Sequence, residues 1–348
     1  MASNPTSNTC SQPRSGLSTP LRLGPVTAGD EHGGMSILVT GGTGFIGAEI
    51  VRRLVAAGEN DVVVAHRSGN FERIADVLDA VTTVQADLGD DAAVEALVRD
   101  TAPATLYHFG ATLTGPGEAD PQALLHSNVS GVITLFEAAR LAGTEQLIFA
   151  SSIGTYGRDL VPGEPITDLS LQRPGTIYGV TKVFAENLGA WYRSKYGLDF
   201  RGLRYPSIVG PGVTTKSVAQ YTSWMIEAAG NGTPFTIWAP PEATIAILYY
   251  KDAAQAAIEL AAAPRSAIRS INYLVDGAGP TPNAQELVDA VLAHVPDAAL
   301  SFDPDPDAAA VLRDPRVIDD RAAREEWGWN PQYDLDSMIT DFLAELGH

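Results

Sequence analysis

A tyrosine and a lysine stand four residues apart in the stretch TIYGVTK, residues 176–182. The flanking sequences, LQRPG before it and VFAENLGAWYRSKYG after it, predict a loop followed by a long helix. Because residues i and i+4 share a helix face, the phenol of Tyr178 and the ammonium of Lys182 are predicted to reach the same small volume. Such a pair can transfer a proton. It is also common between ordinary surface partners, so the rest of the chain must support this interpretation.

The elements that must position this pair are short strands that alternate with helices from Met35 onward. The predicted strands are SILVT (36–40), DVVVA (61–65), VTTVQADL (81–88), ATLYHFGA (104–111) and QLIFASS (146–152). This alternation predicts an α/β fold with a Rossmann-type, doubly wound parallel sheet. After FRGLRYPSIVGP the alternation loosens into helices with short strands. We therefore predict a dinucleotide-binding domain, residues 35–209, and a smaller mixed α/β substrate-binding lobe, residues 210–348, which can interleave with it.

A glycine cluster separates the first predicted strand from the first helix. The segment TGGTGFIG, residues 40–47, places Gly42, Gly44 and Gly47 at the G-x-G-x-x-G spacing. Glycines permit a tight turn and close backbone approach, and the following helix offers unpaired N–H groups to a pyrophosphate. The alternative is a merely tight structural turn. The strand–turn–helix context favours dinucleotide binding.

The end of the second strand, VVVAHRSGN, lacks the acidic residue that usually holds the adenosine ribose hydroxyls. His66, Arg67 and Ser68 stand there instead, and Arg67 can pair with a 2′-phosphate, which favours NADP over NAD. The alternative is that Arg67 is a solvated loop charge. In ADLGD, after the third strand, Asp87 and Leu88 are placed to hydrogen-bond and pack an adenine.

A nicotinamide over the strand ends would give Tyr178 a role as the acid or base that exchanges a proton with a substrate oxygen. A free phenol, with a pKa of about 10, is too weak a base at neutral pH. The ammonium of Lys182 together with an oxidised nicotinamide would favour the phenolate, and Lys182 would also hold the nicotinamide ribose. FASSIGTYG supplies Ser151 and Ser152 at the end of the fifth strand to orient the substrate oxygen.

The motifs TGGTGFIG, ADLGD, YHFGA, SNVSG, ASSIGTYG and YGVTK, in this order, resemble the extended short-chain dehydrogenase/reductase superfamily, the NAD-dependent epimerase/dehydratase family. The resemblance implies that Ser152 orients the substrate, Tyr178 transfers the proton and Lys182 is its partner. It makes Asn128 a structural or proton-relay position. It also implies cofactor contacts at Gly41, Gly44, Phe45, Ile46, Gly47, Gly110, Ala111, Tyr178, Lys182 and Tyr205.

The sequence of the second lobe distinguishes between two branches of this family. Nucleotide-sugar enzymes usually carry an arginine that grips the substrate pyrophosphate, where this chain has Ile245 in TIAILYYKD. A diphosphate would meet an apolar wall there. The segments RGLRYPSIVGPGVTT, ILYYKDAAQAAIELAAAP and VIDDRAAREEWGWNPQYDLDSMITDFLAEL instead resemble L-threonine 3-dehydrogenases of the same superfamily. This resemblance implies a small substrate with a secondary alcohol.

Two loops depart from the threonine dehydrogenase pattern. Thr214 and Thr215 are followed by Lys216 where that pattern has an acid, and TLTGPGE keeps a hydroxyl at Thr114 with changed surroundings. We therefore expect an NAD(P)-dependent oxidoreductase for a small, polar, carboxylated hydroxy compound such as L-threonine or a related hydroxy acid. Thr114, Ser152, Thr214 and Thr215 are the expected substrate contacts. The alternatives are a nucleotide-sugar epimerase or dehydratase that retains its cofactor, and a non-catalytic NADP sensor.

Composition restricts the partners. The net charge of −19 argues against nucleic acid or an anionic membrane, and no apolar run approaches the length of a membrane-spanning helix. The single cysteine, Cys10, excludes an internal disulfide framework and fits a cytoplasmic protein. The six histidines lack metal-binding spacing, so we expect no metal.

The first 34 residues are rich in Ser, Thr, Pro and Gly and carry no periodic apolar pattern, which predicts a disordered tail. They lack the apolar core of a secretory signal, and acidic residues are absent before Asp30, so a transit peptide is the alternative. The family resemblance implies a homodimer built on the long helices.

Overall fold

Aliphatic and β-branched runs form the strands at the centre of the fold. In the computed structural model, which describes residues 1, 36–157, 160, 164–312 and 317–347, the first two strands are buried along nearly their whole length. The strands are β1 (Ile37–Thr40), β2 (Val62–His66), β3 (Thr82–Gln85), β4 (Thr105–His108), β5 (Gln146–Ser152), β6 (Asp199–Tyr205), β7 (Ser207–Val209), β8 (Phe235–Ile237), β9 (Ile247–Tyr249), β10 (Asn272–Leu274) and β11 (Leu300–Phe302). Apart from its first residue, the predicted disordered tail, residues 1–34, lies outside the described residues.

Helices connect these strands and cover the sheet. They are α1 (Phe45–Ala56), α2 (Asp91–Thr101), α3 (Thr114–Ala119), α4 (Pro121–Leu125), α5 (Gly131–Ala142), α6 (Ile177–Tyr196), α7 (Tyr221–Gly230), α8 (Tyr250–Ala262), α9 (Ala284–His294), α10 (Pro306–Leu312), α11 (Arg321–Trp327) and α12 (Leu335–Glu345). One apolar cluster packs α1 and α8 on one side of the sheet, and another packs α2, α5 and α6 on the other side. These two layers confirm the predicted doubly wound α/β fold.

The main sheet has seven parallel strands in the order β10-β6-β5-β4-β1-β2-β3. The chain runs outward from β1 to β3 and then returns to β4 on the other side of β1. In open α/β sheets, ligands bind beyond the carboxyl ends of the strands at this reversal. The register places Thr40 of β1 beside His108 of β4, so the loops that follow these two strands start from neighbouring positions.

Residues after 206 form two further sheets of two strands each. Strand β7 pairs with β9, β8 pairs with β11, and helices α7, α9 and α12 enclose an apolar cluster around Met225, Ile226 and Phe342. Strand β10, however, returns to the main sheet beside β6. The large sheet therefore contains strands that precede the small sheets in sequence and one strand, β10, that comes later than β7, β8 and β9. The proposed domain boundary between residues 209 and 210 stays a prediction.

The predicted long helix is α6. The hydroxyl of Thr176 caps its start by accepting from Gly179 N at 3.1 Å, and Gly197 ends it in the left-handed region at φ 82°. The helical stretch that runs from α4 to α5 contains a π turn at His126–Ser130. Such turns often occur at functional sites.

Within the described part of the chain, no helix is long and apolar enough to cross a membrane. No group of three or more His, Cys, Asp and Glu side chains in that same part is arranged to hold a metal ion.

Candidate active site

The glycine turn after β1 brings two loops into backbone contact. Gly41 has φ +72°, and a Cβ there would lie 2.6 Å from the nitrogen of Gly110, in the loop that follows β4. A Cβ on Gly47 would lie 2.2 Å from the carbonyl oxygen of Gly41. Glycine at these positions lets the start of α1 and the loop of Gly110 and Ala111 close around the same turn.

The start of α1 suits a bound pyrophosphate. Its N-cap residue is Gly44, no side chain among the described residues caps it, and its first turn contains no acid. The N–H groups of Phe45 and Ile46 therefore lie at the positive end of the helix dipole without a competing carboxylate. These features fit the phosphate groups of a dinucleotide.

The residues predicted to meet the adenosine surround the ends of β2 and β3. His66 Nδ1 accepts from Gly69 N at 3.1 Å, and the His66 ring meets Phe71 edge-on at 4.8 Å. Arg67 and Ser68 are exposed, and among the described residues the Arg67 guanidinium has no ion-pair partner. Its charge is available to a ligand.

Asp87 and Leu88 follow β3. Asp87 is exposed and uses one carboxylate oxygen to accept from Gly89 N at 2.9 Å, which shapes this short loop. Leu88 reaches the loop after β4, since a Cβ on Gly110 would lie 2.5 Å from its Cδ1. An apolar side chain and a carboxylate thus border the loop where the adenine contacts were predicted.

Asn128 joins the loop that follows β4 to helix α6. Its side-chain oxygen accepts from Thr112 N at 2.9 Å, and its Nδ2 donates to Thr112 O at 2.8 Å and to Thr181 Oγ1 at 3.4 Å. The π turn places this buried amide between the two elements. Asn128 therefore fixes the backbone that follows Ala111 and links it to the residue before Lys182.

Ser152 and Tyr178 meet at the end of β5. The Ser152 hydroxyl accepts from Gly154 N at 3.0 Å and lies near the Tyr178 phenol, whose pKa it lowers. Tyr178 lies in the first turn of α6, where a Cβ on Gly179 would clash with Gly154 O at 2.2 Å. Glycine at that position lets the helix approach the serine loop closely enough for the two hydroxyls to act on one substrate oxygen.

Lys182 lies one turn further along α6 and is buried. Its Nζ donates to Ala150 O at 2.7 Å and stands 5.5 Å from the centre of the Tyr178 ring. Burial lowers the pKa of Lys182 to about 7, against a smaller opposing effect of Glu186. Burial raises the pKa of Tyr178 to about 12, and the nearby Ser152 hydroxyl offsets this shift only in part. In the protein alone, desolvation therefore opposes the phenolate that the sequence led us to expect.

A buried ion-pair network lies beneath Lys182. Arg204 Nη2 donates to Glu186 at 2.7 Å, while its Nη1 donates to the Tyr156 hydroxyl at 2.8 Å and to Asp168 O at 3.1 Å. Glu186 also accepts from Ser151 Oγ. Tyr156 and Asp168 belong to the segment between Ser152 and Tyr178. Arg204 thus braces that segment.

The predicted substrate contacts belong to two neighbouring loops. Thr114 starts α3, and a Cβ on the next residue, Gly115, would lie 3.3 Å from Lys216 O. Thr214 and Thr215 directly precede that lysine. At the far end of α3, Glu118 accepts from Ile177 N at 3.0 Å, beside Tyr178. Helix α3 therefore spans the distance from the threonine loop to the start of α6.

Two other predicted positions are packed against the protein. Tyr205 is buried and donates its hydroxyl to Ala253 O at 2.8 Å, so only its backbone at the end of β6 can meet a cofactor. Ile245 packs against the apolar cluster of the second lobe. It supplies no charge to a diphosphate.

Sequence reasoning missed Glu186 and Arg73. Glu186 follows Lys182 by four residues, so the helix period that linked Tyr178 to Lys182 also predicts it on the same face. Arg73 contacts Gly212, which is 139 residues away in sequence, and no local pattern indicates that contact.

The chain was compared with known families and proteins, and both comparisons found matches. The model of the NAD dependent epimerase/dehydratase family matches residues 37–275. The mitochondrial L-threonine 3-dehydrogenase of Bos taurus is 32% identical over 315 residues, which cover 88% of this chain and 81% of that protein.

Two solved structures share the fold. L-threonine dehydrogenase from Cupriavidus necator is 27% identical with a TM-score of 0.80, and the match covers 89% of this chain and 99% of that one. UDP-glucose 4-epimerase from Thermus thermophilus, in complex with NAD, is 27% identical with a TM-score of 0.78 and covers 90% and 99%.

Proposed function

The chain belongs to the NAD dependent epimerase/dehydratase family, and from this premise we propose that it oxidises the secondary alcohol of L-threonine or a closely related hydroxy acid. It is a nicotinamide-dependent oxidoreductase that acts on a CH–OH group. The observation that carries the proposal is the cluster of Ser152, Tyr178 and Lys182 at the same edge of the sheet as the uncapped N-terminus of α1. Similarity to threonine dehydrogenases in sequence and in structure supports the substrate.

The side chains divide the proton transfer between them. Ser152 donates to or accepts from the substrate oxygen and keeps it beside the Tyr178 phenol. Tyr178 takes the hydroxyl proton in oxidation and returns it in reduction. Lys182 stabilises the phenolate from below, and Asn128 holds the loop and the helix in register. The turn of Gly41, Gly44 and Gly47 and the N-terminus of α1 would hold a nicotinamide dinucleotide, which would supply the hydride acceptor for the carbinol carbon.

A panel of substrates tests this proposal. The purified protein is mixed with NAD⁺ or NADP⁺ and with L-threonine, L-serine, D-threonine or 3-hydroxybutyrate, and nicotinamide reduction is followed. We expect the fastest reduction with L-threonine or with one of the hydroxy acids. Interconversion of UDP-glucose and UDP-galactose without net reduction would instead establish the epimerase alternative. The apolar wall at Ile245 argues against that outcome.

We further propose that NADP is the preferred form of the cofactor. NAD(H) binding is the property of the family. The exposed Arg67 and the absence of an acid at the end of β2 support a 2′-phosphate contact. The test is the Kd of each cofactor for the wild type and for Arg67→Ala. If Arg67 binds the 2′-phosphate, the substitution raises the Kd of NADP⁺ more than the Kd of NAD⁺. Equal effects on both cofactors would remove the preference.

We also propose that the chain forms a homodimer. Helices α5 and α6 expose large apolar side chains, namely Ile133, Leu141, Val180, Trp191 and Tyr196. On α6, Val180 and Trp191 lie on the side opposite to Tyr178 and Lys182, because two residues turn a helix by about 200°. A second copy of the chain can cover this surface without closing the active site.

We retain the cytoplasm as the proposed location. The name of the bovine relative is that of a mitochondrial protein, which makes the first 34 residues the segment to test. A fluorescent protein fused after residue 34 is expected to stay diffuse in cells. Its accumulation in mitochondria would refute the cytoplasmic proposal.

A further inference from the structure

Arg73 joins the cofactor side of the molecule to the segment that carries the predicted substrate threonines. It belongs to a 3₁₀ turn, Glu72–Ile74, which follows the loop of His66 and Arg67. Its guanidinium donates to the carbonyl oxygen of Gly212. We call residues 210–216, which run from the end of β7 to Lys216, the substrate segment.

The same guanidinium also lies against the dinucleotide turn. It stands 5.1 Å over the ring of Phe45, the first residue of α1. A Cβ on Gly210 would lie 2.6 Å from the Phe45 ring, so the substrate segment packs directly on this side chain. One cation therefore touches the helix that is predicted to hold the pyrophosphate and the loop that is predicted to hold the substrate.

The backbone at this contact is shaped for Arg73. Gly212 has φ +68°, and a Cβ there would lie 3.1 Å from Arg73 Nη2. The other side of the segment is tied to α7, where Glu227 accepts from Gly212 N at 3.2 Å and Trp224 donates to Val213 O at 2.7 Å. The position of the segment is thus set from α7 on one side and from Arg73 on the other.

Space beside the contact allows movement. A cavity of about 280 Å³ adjoins it and is lined by residues that include Phe45, Arg73, Pro211 and Tyr250. Arg52 donates to the carbonyl oxygen of Arg73 and so holds the 3₁₀ turn against α1. The hydrogen bond to Gly212 and the contact of Gly210 with the Phe45 ring together determine where this side of the substrate segment lies.

We propose that Arg73 is a positioning residue that couples dinucleotide binding to the placement of the substrate segment. A dinucleotide that contacts the α1 N-terminus and the loop of His66 and Arg67 orders both sides of Arg73. The guanidinium then holds Gly212, which presents Thr214 and Thr215 to the site. The assignment of these two threonines rests on the proposed function. The coupling between cofactor and segment does not need a substrate.

Trypsin measures this coupling without turnover, because Lys216 is exposed at the end of the segment. Mass spectrometry follows cleavage after Lys216 with and without saturating NAD⁺, in the wild type, in Arg73→Met and in Arg73→Lys. The control is Arg99→Met, since Arg99 is exposed and pairs with the neighbouring Asp100. Titration gives the Kd of NAD⁺ for each variant.

We expect NAD⁺ to slow cleavage of the wild type and of Arg99→Met by about fivefold or more, the lower end of typical coupling between sites. Arg73→Met should lose most of this protection while its NAD⁺ Kd changes by less than that factor, and Arg73→Lys should recover part of it. Full protection in Arg73→Met, or no protection in the wild type, would overturn the proposal. A loss of NAD⁺ affinity that accounts for the lost protection would make Arg73 a cofactor ligand instead.

Kinetics provide the second readout if L-threonine is turned over. Arg73→Met should then raise the KM for threonine with little change in kcat, and Arg99→Met should change neither. A fall in kcat at unchanged KM would contradict a positioning role. If neither threonine nor any hydroxy acid of the panel is turned over, the proposed function fails while the proteolysis result still decides the coupling.

Discussion

At the scale of residues, the chemistry depends on how the hydroxyl of Tyr178 is surrounded. The i, i+4 spacing predicted that Tyr178 and Lys182 lie together, and the structure places them so. The spacing did not predict the direction of the pKa shifts, because desolvation depends on how deeply the fold buries the two side chains. A second positive charge near the phenol is what this environment requires for base catalysis at neutral pH.

The two adjacent serines have different roles, one in the chemistry and one in the structure. Ser152 contacts the Tyr178 phenol, whereas Ser151 donates to the buried Glu186. Ser152→Ala should lower kcat/KM by about 100-fold, because one donor to the reacting oxygen is lost. Ser151→Ala should leave kcat/KM within a few fold and lower the free energy of unfolding by about 1–3 kcal/mol. Steady-state kinetics and urea unfolding of both variants check this, and equal losses of activity would contradict the distinction.

At the scale of elements, the strands and long helices followed from sequence periodicity, while the π turn and the bracing network did not. A continuous helix over residues 121–143 satisfies the apolar pattern. Asn128 nevertheless bonds the backbone of Thr112, and the local backbone changes to bring its amide there. Arg204 similarly reads as an ordinary polar residue in a strand. Only the fold brings Glu186, Tyr156 and Asp168 around it.

Arg204 should be important for the stability of the segment between β5 and α6. Arg204→Met removes the charge that compensates Glu186 and Asp168, and breaking a buried pair in this way typically costs about 3–5 kcal/mol. Thermal unfolding should show a clear fall in Tm, with Arg204→Lys in between. Arg265→Met, at an exposed arginine that donates to Gly197 O, is the control. A Tm of Arg204→Met equal to that of the control would contradict the bracing role.

The loop after β10 should make stability depend on pH. Burial raises the pKa of Asp276 from 3.8 to about 7, with Asp320 adding to the shift and Arg324 opposing it. Since the folded state favours the protonated carboxyl, the free energy of unfolding should fall as pH rises from about 4 to about 7. Asp276→Asn keeps an acceptor for Gly277 N and should raise Tm at pH 8 by about 2 °C or more, with no gain at pH 4. A gain of equal size at both values would refute the assignment.

At the scale of the whole molecule, the outward surface of α5 and α6 predicts association. Trp191 is 49% exposed on α6, and Val311 is 55% exposed on α10. Sedimentation should give twice the chain mass for the wild type and for Val311→Glu. Trp191→Glu should shift the population toward the monomer, because a charge at the centre of an apolar interface must be desolvated. A wild type that remains monomeric at micromolar concentration would exclude the proposed dimer.

The central claim is that this site oxidises a small secondary alcohol through Tyr178. Its most direct test is the initial rate of nicotinamide reduction by L-threonine, in the wild type and in Tyr178→Phe. We expect measurable reduction by the wild type and a loss of about 100-fold or more in the variant, which should still bind the dinucleotide. Unchanged turnover in Tyr178→Phe would show that Tyr178 does not transfer the proton.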